Sequence, residues 1–476
     1  MANDARNPHG EPDAATMSTA SPNLTSPQLR SSGLRARRTW HSERSVDLVA
    51  ALGGLGLGMV IALGVTAQSW RSLNSPGGWV TAAGRMAGLT GAYMLLVTVL
   101  MAGRIPIVER VLGHDSLIRW HRRIAPWALV LIALHGVLVV IGYGESLRIG
   151  PFHQFANLIT SYPGMLAGFV AFLLLVMAGI TSARIAMRRM RYETWWAVHL
   201  YTYLALALSL SHQLTTGIMF IGHPLMRAFW TALFIATGGV VFVYRVLLPL
   251  WRTAFHQLQV ASVQAECPGV SSVLLEGRRL GRLPISGGQF IQLRILKRGL
   301  WWQAHPYSVS ALPDDRHLRI TVRDVGDHSG AMAQLKPGTR VAIEGPYGAF
   351  TSDARATDRI LMIGAGVGIT PLRAMLEDLP SGVDVVMLAR AHDEHSLALR
   401  GELQQLVGRH HGRLHELFGS REHVKLDARV LRRLIPDVAH RDVFVCGPEG
   451  FTTMILEAIR DLGVPEKHIH HETFAF

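Results

Sequence analysis

Hydrophobic positions are spread unevenly along the 476 residues, and the unevenness divides the chain in two. In the first half, six long apolar stretches fall at about 48–67, 79–102, 124–141, 164–187, 195–211 and 225–250. Each comes near the ~20 residues a helix needs to cross hydrocarbon. Six such runs exceed what one soluble core buries, so they predict a six-helix transmembrane bundle. After residue 250 the apolar runs shorten to strand length, with Gly, Pro and Asp between them. Residues 259–263, 273–275, 290–296 and 318–322 alternate or are β-branched, and they read as strands of an antiparallel β-barrel. From 359 onward the pattern becomes strand, glycine turn and helix: 360–363, a turn opening at Gly364, a helical stretch to 379, then strands at 384–389 and 442–446. That alternation predicts a doubly wound α/β domain. The expected organisation is therefore multidomain: a tail over 1–44, a bundle over 45–252, a barrel over 256–352 and an α/β domain over 357–476.

Composition changes this picture only where it is localised. Hydrophobic residues make up 49% of the chain and mean hydropathy is +0.24, high for a soluble protein of this length. A formal charge of +13 ordinarily raises nucleic acid or an acidic surface as a partner. Here the cations cluster by position. Arg35, Arg37, Arg38 and Arg44 precede the first stretch; Arg104, Arg110, Arg119, Arg122 and Arg123 lie between the second and third; Arg184, Arg188, Arg189 and Arg191 lie between the fourth and fifth. The other connections carry little beyond Arg71, Arg148 and Arg227. The positive-inside rule then puts both termini of a multi-pass plasma-membrane protein in the cytoplasm, and the charge needs no nucleic-acid partner. Two cysteines, Cys267 and Cys446, are too few for a disulfide framework, a structural zinc site or a Cys₄ iron–sulfur cluster. The opening tail is rich in Ser, Pro, Asn and Ala, lacks the order of a signal peptide, and reads as disordered.

Four histidines lie in or beside two of the apolar stretches: His121 and His135 at the third, His199 and His212 at the fifth. Separations of fourteen and thirteen residues correspond to roughly 20 Å of helix, so each helix offers one imidazole near each bilayer face. A single helical histidine is more often a hydrogen-bonded core residue than a ligand. Four at paired depths, with no matching set of acidic partners, point to metal, because an uncommitted imidazole in hydrocarbon is costly. Both helices start at the cytoplasm, which pairs His121 with His199 at the inner level and His135 with His212 at the outer. Two stacked bis-histidine haems fit that layout, and iron held by two imidazoles has no open position, so its work is passing single electrons. Fourteen residues return to within about 40° of one helix face, whereas thirteen leave about 140°. The fifth helix is thus expected to bend, to carry a π-bulge, or to present its ligands obliquely.

The turn holding Gly364, Gly366, Gly368, Thr370 and Pro371 joins an apolar strand to a helix, where glycines let a pyrophosphate approach backbone N–H groups. It is not the full G-x-G-x-x-G fingerprint, and a tight structural turn is the alternative. Four more motifs stand in the soluble half: His305-Pro306-Tyr307-Ser308, Gly345-Pro346-Tyr347-Gly348, Cys446-Gly447-Pro448, and the terminal run from Glu472 to Phe476. With the histidine pairs, this set resembles the NADPH oxidase and ferric reductase superfamily, over about residue 48 to the end.

The resemblance implies FAD on the barrel, two b haems in the bundle and NADPH on the α/β domain, with NADH as the alternative. His305, Pro306, Tyr307 and Ser308 would contact the flavin. Tyr307 would give a flat apolar face and Ser308 a small donor where hydride arrives. Arg323, Gly326 and Ser329 would hold the FAD pyrophosphate. Gly364, Gly366, Gly368, Thr370 and Pro371 would cradle the nicotinamide dinucleotide, Cys446, Gly447 and Pro448 would lie beside the nicotinamide, and Arg390 would read a 2′-phosphate. The terminal aromatic Phe476 would cover the flavin face as a gate. In the bundle, Arg119, Arg122 and Arg123 are candidate partners for inner-haem propionates, with a purely topological role as the alternative. Arg85 would serve the outer haem or an anionic product.

The activity implied by the resemblance is that of an NAD(P)H oxidase or ferric reductase. Electrons from cytoplasmic NAD(P)H would pass through FAD and both haems to dioxygen, giving superoxide, or to a ferric chelate outside. One departure weakens oxygen as the acceptor: many oxidases of the family carry a second histidine one turn beyond the outer ligand, where this chain has Val139. His153 and His223 on outer connections are isolated surface residues. The rival readings are a reductase that feeds a membrane redox partner, and a membrane-anchored flavin reductase with a cytoplasmic acceptor.

Overall fold

The structure is a computed structural model that describes residues 43–187, 189–190, 192–420 and 426–474. Nearly all of the tail expected over 1–44, together with Arg35, Arg37, Arg38, Arg188, Arg191 and Phe476, lies outside the described residues.

The first half is helical. The long helices are α1 (Glu43–Thr66), α2 (Gly78–Ala102), α3 (His114–Leu147), α4 (Met165–Thr181), α5 (Tyr192–Thr216) and α6 (Pro224–Phe242). α6 runs on through a π-helical turn, Val243–Leu247, into α7 (Leu248–His256). Four segments are long and apolar enough to cross a membrane: Val46–Thr66, Gly78–Ala102, Ser116–Leu147 and Pro224–His256. A fifth is reached if Pro151–Ser161 and α4, bent by 112°, count as one broken span. The expected six spans thus become four or five by length and composition. The exception is α5, long enough at 25 residues but with its apolar run interrupted by histidines, Gln213 and several hydroxyl side chains. α5 is α-helical throughout, so the π-bulge, one of the three expected alternatives, is not there; a π-helical turn comes after α6 instead. α2 and α3 pack closely because α2 offers glycines. A Cβ on Gly84 would lie 3.0 Å from the Leu138 side chain, and one on Gly91 3.0 Å from Ile132.

Beyond α7 lies a six-stranded antiparallel sheet of β1 (Gln259–Cys267), β2 (Val270–Glu276), β3 (Phe290–Ile295), β4 (His305–Ala311), β5 (His317–Arg323) and β6 (Val341–Tyr347), in the order β1-β2-β5-β4-β3-β6. Ile291, Leu293 and Ile295 alternate into its core with Val273, Leu275 and Ile320. Its two ends are tied by the Val341 N–H donating to Leu258 O at 3.0 Å and the Val260 N–H to Thr339 O at 2.9 Å. A short helix, α8 (Asp327–Ala333), comes after β5.

The last layer is a parallel sheet of β7 (Arg359–Ala365), β8 (Asp384–Ala391), β9 (Arg413–Phe418), β10 (Asp442–Pro448) and β11 (Ile469–Phe474), in the order β11-β10-β7-β8-β9. Its connections include α9 (Ile369–Asp378), α10 (Arg400–Arg409), α11 (Ala428–Leu434) and α12 (Glu449–Asp461). The strands β7, β8 and β10 are buried almost throughout, as expected of a parallel sheet covered on both faces. Strand order reverses between β7 and β10, and ligands of such sheets bind in the crevice at the carboxyl ends of the strands there.

Two polar joints fix the soluble layers. Asp442 is fully buried and accepts from the N–H groups of Ala356 (2.9 Å) and Thr357 (2.6 Å), the Thr357 hydroxyl (2.8 Å), His468 Nδ1 (2.9 Å) and His470 Nε2 (3.4 Å). Burial alone raises a carboxyl, but the bonds from His470, His468 and Thr357 outweigh it and hold Asp442 well below the usual carboxylate range. The second joint crosses between the sheets. Arg319 on β5 donates twice to Glu402 on α10, at 2.7 Å each, and Arg373 Nε on α9 reaches the same carboxylate at 2.7 Å.

A depressed folded pKa stabilises above the unfolded value, about 3.9 for Asp, and that stability is lost as pH falls toward the folded value. The thermal midpoint of the wild type should therefore fall more steeply below about pH 4 than that of Asp442→Asn; parallel acid limbs would remove Asp442 from this role. Glu402→Gln should cost about 1–3 kcal/mol in denaturant unfolding, because Arg319 loses its counter-charge while Arg373 keeps Glu377, and the Glu402 site is partly screened by solvent. The further change Arg319→Gln should then cost less than it does in the wild type.

Candidate functional site

The four bundle histidines meet in the expected pairs. The rings of His121 and His199 have centroids 6.2 Å apart with planes at 63°, and those of His135 and His212 lie 6.5 Å apart at 55°. An imidazole nitrogen sits about 1.1 Å from the ring centre and binds metal at about 2.0–2.1 Å, so two rings on opposite sides of one ion have centres about 6.3 Å apart. Each ring also has its Nδ1 engaged. His121 Nδ1 donates to Thr98 O (2.9 Å) and His135 Nδ1 to Gly84 O (2.8 Å), both on α2. His212 Nδ1 bonds the Thr216 hydroxyl (3.0 Å), whose own proton goes to His212 O. His199 Nδ1 lies 3.4 Å from Ser182 Oγ, which accepts from Trp195 Nε1. A carbonyl partner keeps the proton on Nδ1 and leaves Nε2 as the lone pair for a metal. The donor set and spacing therefore fit two bis-imidazole haem irons.

Glycines make room for the His135–His212 pair. A Cβ on Gly88 would lie 2.7 Å from His135 Nδ1, and one on Gly168 2.7 Å from the His212 ring. Arg85 is next in sequence to the Gly84 whose carbonyl holds His135, so it stands at the level of that pair; its guanidinium bonds Tyr143 Oη (2.9 Å) and Gln68 Oε1 (3.5 Å). Val139 packs toward Gly84. Near His121, Arg119, Arg122 and Arg123 are exposed, Arg119 bonding Ser116 and Arg123 lying over Trp120.

In the six-stranded sheet, β4 begins at His305 and Pro306, which pair with Leu293 and Gln292. Ser308 is buried and its Oγ has no hydrogen-bond partner among the described residues, a donor with no task inside the chain itself. Burial pushes the Tyr307 phenol up, keeping it neutral. These features suit a flavin ring carrying polar edges. Ser329 Oγ accepts from the Val325 N–H (2.8 Å) and donates to Gly326 O (3.0 Å), closing the turn that leads into α8. Arg323 leaves the end of β5 exposed, and its Nη1 lies 3.9 Å from where a Cβ on Gly366 would stand. It therefore faces the glycine turn of the neighbouring layer as well as the Gly326 turn of its own.

That turn sits at the strand-order reversal. Gly366 has φ +56°, and a Cβ on Gly368 would lie 2.3 Å from Cys446 O and 2.8 Å from Gly447 Cα, so the turn and the Cys446-Gly447-Pro448 segment touch backbone to backbone. Gly364 pairs with Cys446 across β7 and β10. The Thr370 hydroxyl donates to Val367 O (2.8 Å), and Pro371 lies in the first turn of α9. Cys446 is fully buried, and burial with the Glu472 carboxylate pushes its thiol well up, so it stays protonated and offers shape rather than a thiolate. Pro448 pairs with Phe474, which brings the described end of the chain beside the crevice. Arg390, at the end of β8, is buried and donates to Ser420 O at 3.1 Å.

Arg104, in sequence one topological charge among several, belongs to the site as well. Its guanidinium lies 4.4 Å from the Tyr347 ring centre and 5.8 Å from that of Phe290, and it bonds Glu109 at 3.0 Å. Phe290 pairs with both Ser308 and Tyr347. Glu109 also meets His114 Nδ1 at 3.3 Å; burial, then Arg104 and Arg245, bring the His114 imidazole down to about 4, so it is neutral at pH 7. This cluster joins the foot of the bundle to the strand beside Ser308. No local signal in the sequence marks it, since Tyr347 comes from another domain.

Comparison with known proteins gives three domain matches in chain order: a ferric reductase like transmembrane component over residues 87–210, an FAD-binding domain over 257–351, and an oxidoreductase NAD-binding domain over 362–457. The chain is 33% identical over 231 residues to the ferredoxin reductase component of 3-ketosteroid-9-alpha-monooxygenase from Mycolicibacterium smegmatis, covering 46% of this chain and 65% of that one. It is 27% identical to an NADPH oxidoreductase of Mycobacterium tuberculosis, over 48% of this chain and 62% of the other. A flavohemoprotein of Chromobacterium violaceum is also 27% identical, over 47% and 61%. The chain thus spans less than two thirds of the length of these curated relatives. Among solved structures, the FAD/NAD binding domain of a Vibrio cholerae nitric oxide dioxygenase aligns with 46% of this chain and 98% of its own, at 25% identity and TM-score 0.40. A ferric reductase-like membrane component followed by FAD-binding and NAD-binding domains is the architecture of the NADPH oxidase and ferric reductase superfamily, and this chain carries all three in that order.

Proposed function

We propose that the chain moves electrons from cytoplasmic NAD(P)H, through FAD and two bis-histidine b haems, to an acceptor across the membrane, either dioxygen, giving superoxide, or a ferric chelate. The observation that carries this reading is the pair of imidazole couples on α3 and α5, each at the spacing of two ligands on one metal and each with Nδ1 engaged. A membrane anchor for a cytoplasmic flavin reductase gives those couples no task. In this reading α5 is a sixth span despite its polar composition, because its polar side face is turned to the cofactors, and both termini are cytoplasmic.

Bound FAD supplies the change from a two-electron donor to one-electron steps, and bis-imidazole haem supplies the relay across the bilayer. The chain's own residues position them. Tyr307 gives the flavin a neutral flat face, and Ser308 Oγ has a hydrogen bond to offer where hydride arrives. Arg323 and the turn from Gly326 to Ser329 hold the FAD pyrophosphate. The turn from Gly364 to Pro371 admits a dinucleotide close to backbone N–H groups, with Cys446, Gly447 and Pro448 forming the nicotinamide wall and Phe476 as the gate over the flavin face. Arg390 at the end of β8 favours NADPH over NADH. The Nδ1 hydrogen bonds fix the orientation of all four ligand rings. Arg85 supplies positive charge beside the outer pair, for a propionate or for an anionic product.

Reduced-minus-oxidised spectra of the purified protein should show low-spin haem bands. His135→Leu or His212→Leu should remove about half of them, and His121→Leu or His199→Leu the other half; a protein yellow only from flavin, or four variants with full haem content, would overturn the proposal. Arg85→Gln should slow reduction of cytochrome c or a ferric chelate, measured with and without superoxide dismutase, about tenfold or more while flavin reduction by NADPH is unchanged. Equal loss of both rates would remove Arg85 from the acceptor side.

A further inference from the structure

Where the bundle meets the six-stranded sheet, an open cleft of about 550 Å³ is lined by Arg104, Glu109, Tyr244, Arg252, Gln289 and Tyr347 among others. Among the described residues, none given a contact with flavin, nicotinamide or metal above lines it, although Arg104 and Tyr347 adjoin the strand beside Ser308. Its charge is unbalanced. Its lining holds two guanidiniums, Arg104 and Arg252, and one carboxylate, Glu109, which pairs with Arg104 at 3.0 Å; outside the lining, Glu344 takes Arg294 at 2.7 Å and Arg245 at 3.6 Å. Arg252, only partly exposed, has no hydrogen-bond or ion-pair partner among the described residues. A half-buried guanidinium without a counter-charge is costly, and it is a ready partner for an anion that enters from outside the chain.

Position says which kind of anion. The continuous segment Pro224–His256 is 33 residues long, about 50 Å of helix against about 30 Å of hydrocarbon, so its closing turns stand at the headgroup level. Those same turns expose Leu247, Leu250 and Trp251, which are 46%, 62% and 56% accessible, interleaved with the cleft residues Leu248, Pro249 and Arg252. A tryptophan there matches the aromatic belt of membrane interfaces. An apolar strip for acyl chains thus adjoins a cationic cleft on one helix.

We propose that this cleft binds the phosphate of an anionic membrane lipid. Arg252 is its principal partner, Arg104, Tyr244 and Gln289 offer further donors, and the acyl chains lie along Leu247, Leu250 and Trp251. A lipid held here bridges the membrane helix to the Gly345–Gly348 turn and steadies the docking of the flavin domain on the bundle. The proposal needs only the membrane placement of this helix, so it stands or falls separately from the haem reading.

The test is native mass spectrometry of the full-length protein released from nanodiscs of phosphatidylcholine and phosphatidylglycerol in equal parts. The wild type should retain phosphatidylglycerol in preference to phosphatidylcholine, and Arg252→Gln should lower that retention about tenfold, the loss of one charge-assisted hydrogen bond. Arg227→Gln, at the opposite end of the same helix, should leave it unchanged. Independently of any variant, phosphatidylglycerol added to delipidated wild type in detergent should raise the thermal midpoint, while inorganic phosphate at the same concentration should not. The proposal is overturned if both lipids are retained equally, or if inorganic phosphate stabilises as well as the lipid does, which would make this a site for free phosphate. It is also overturned if Arg252→Gln loses FAD in step with lipid, which would make the cleft part of the flavin site.

Discussion

An imidazole inside a bilayer has two ring nitrogens to satisfy and no water to satisfy them with, and the bundle is arranged around that constraint. Each of the four rings gives Nδ1 to a partner at a fixed place: Thr98 O and Gly84 O on α2, Ser182 just beyond α4, and Thr216 on the last turn of α5. The bonds from His121 and His135 set the rotation of α3 against α2 at two levels. Close approach of those helices is then required, and the glycines of α2 supply it. Larger residues at Gly88 or Gly168 would meet the rings of His135 and His212 directly. The small residues are thus consequences of the histidine geometry.

The soluble layers depend on the bundle through a different kind of contact. Arg104 lies over Tyr347 while paired to Glu109, so the foot of α2 rests on the strand that neighbours β3, and through Phe290 on the position of Ser308. The strand carrying Ser308 and the His121–His199 pair therefore belong to one connected framework. On the far side of the flavin sheet, the shared carboxylate of Glu402 and the buried Asp442 do the same for the nucleotide layer.

Much of this is legible in the sequence, for physical reasons that differ by element. Strands β1, β2, β3, β5, β7, β8 and β10 announce themselves as β-branched or buried runs. Strands β4 and β6 do not, because His305-Pro306 and Gly345-Pro346 put poor strand formers within them. Strands β9 and β11 are edges, written in charged and histidine-rich sequence such as Arg413–Phe418 and Ile469–Phe474. The histidine pairs are legible from spacing alone. The azimuth of His199 against His212 leaves a bend, a π-bulge or oblique ligands open; α5 carries no π-bulge, and its two rings meet their partners with planes at 63° and 55°. Arg104 and Arg252 are hidden among topology-setting cations, since what singles them out is a ring and a cleft contributed by other segments. The histidines, Gln213 and hydroxyl side chains of α5 keep it from counting as a span by composition.

The joint between the two sheets bears on how a coenzyme comes and goes. With Arg319 bound across the layers to the Glu402 carboxylate, and the connecting segment at Ala356 and Thr357 held by Asp442, opening the layers like a book would strip Arg319 of its neutraliser, while Arg373 would keep both Glu402 and Glu377. In the proposed reading a coenzyme would enter along the crevice at the carboxyl ends of β7 and β10, where Gly368 stands against the Cys446 backbone. With no room for a Cβ at Gly368, that wall keeps its shape only as long as the glycine stays, and any side chain there would have to push the Cys446-Gly447 backbone aside.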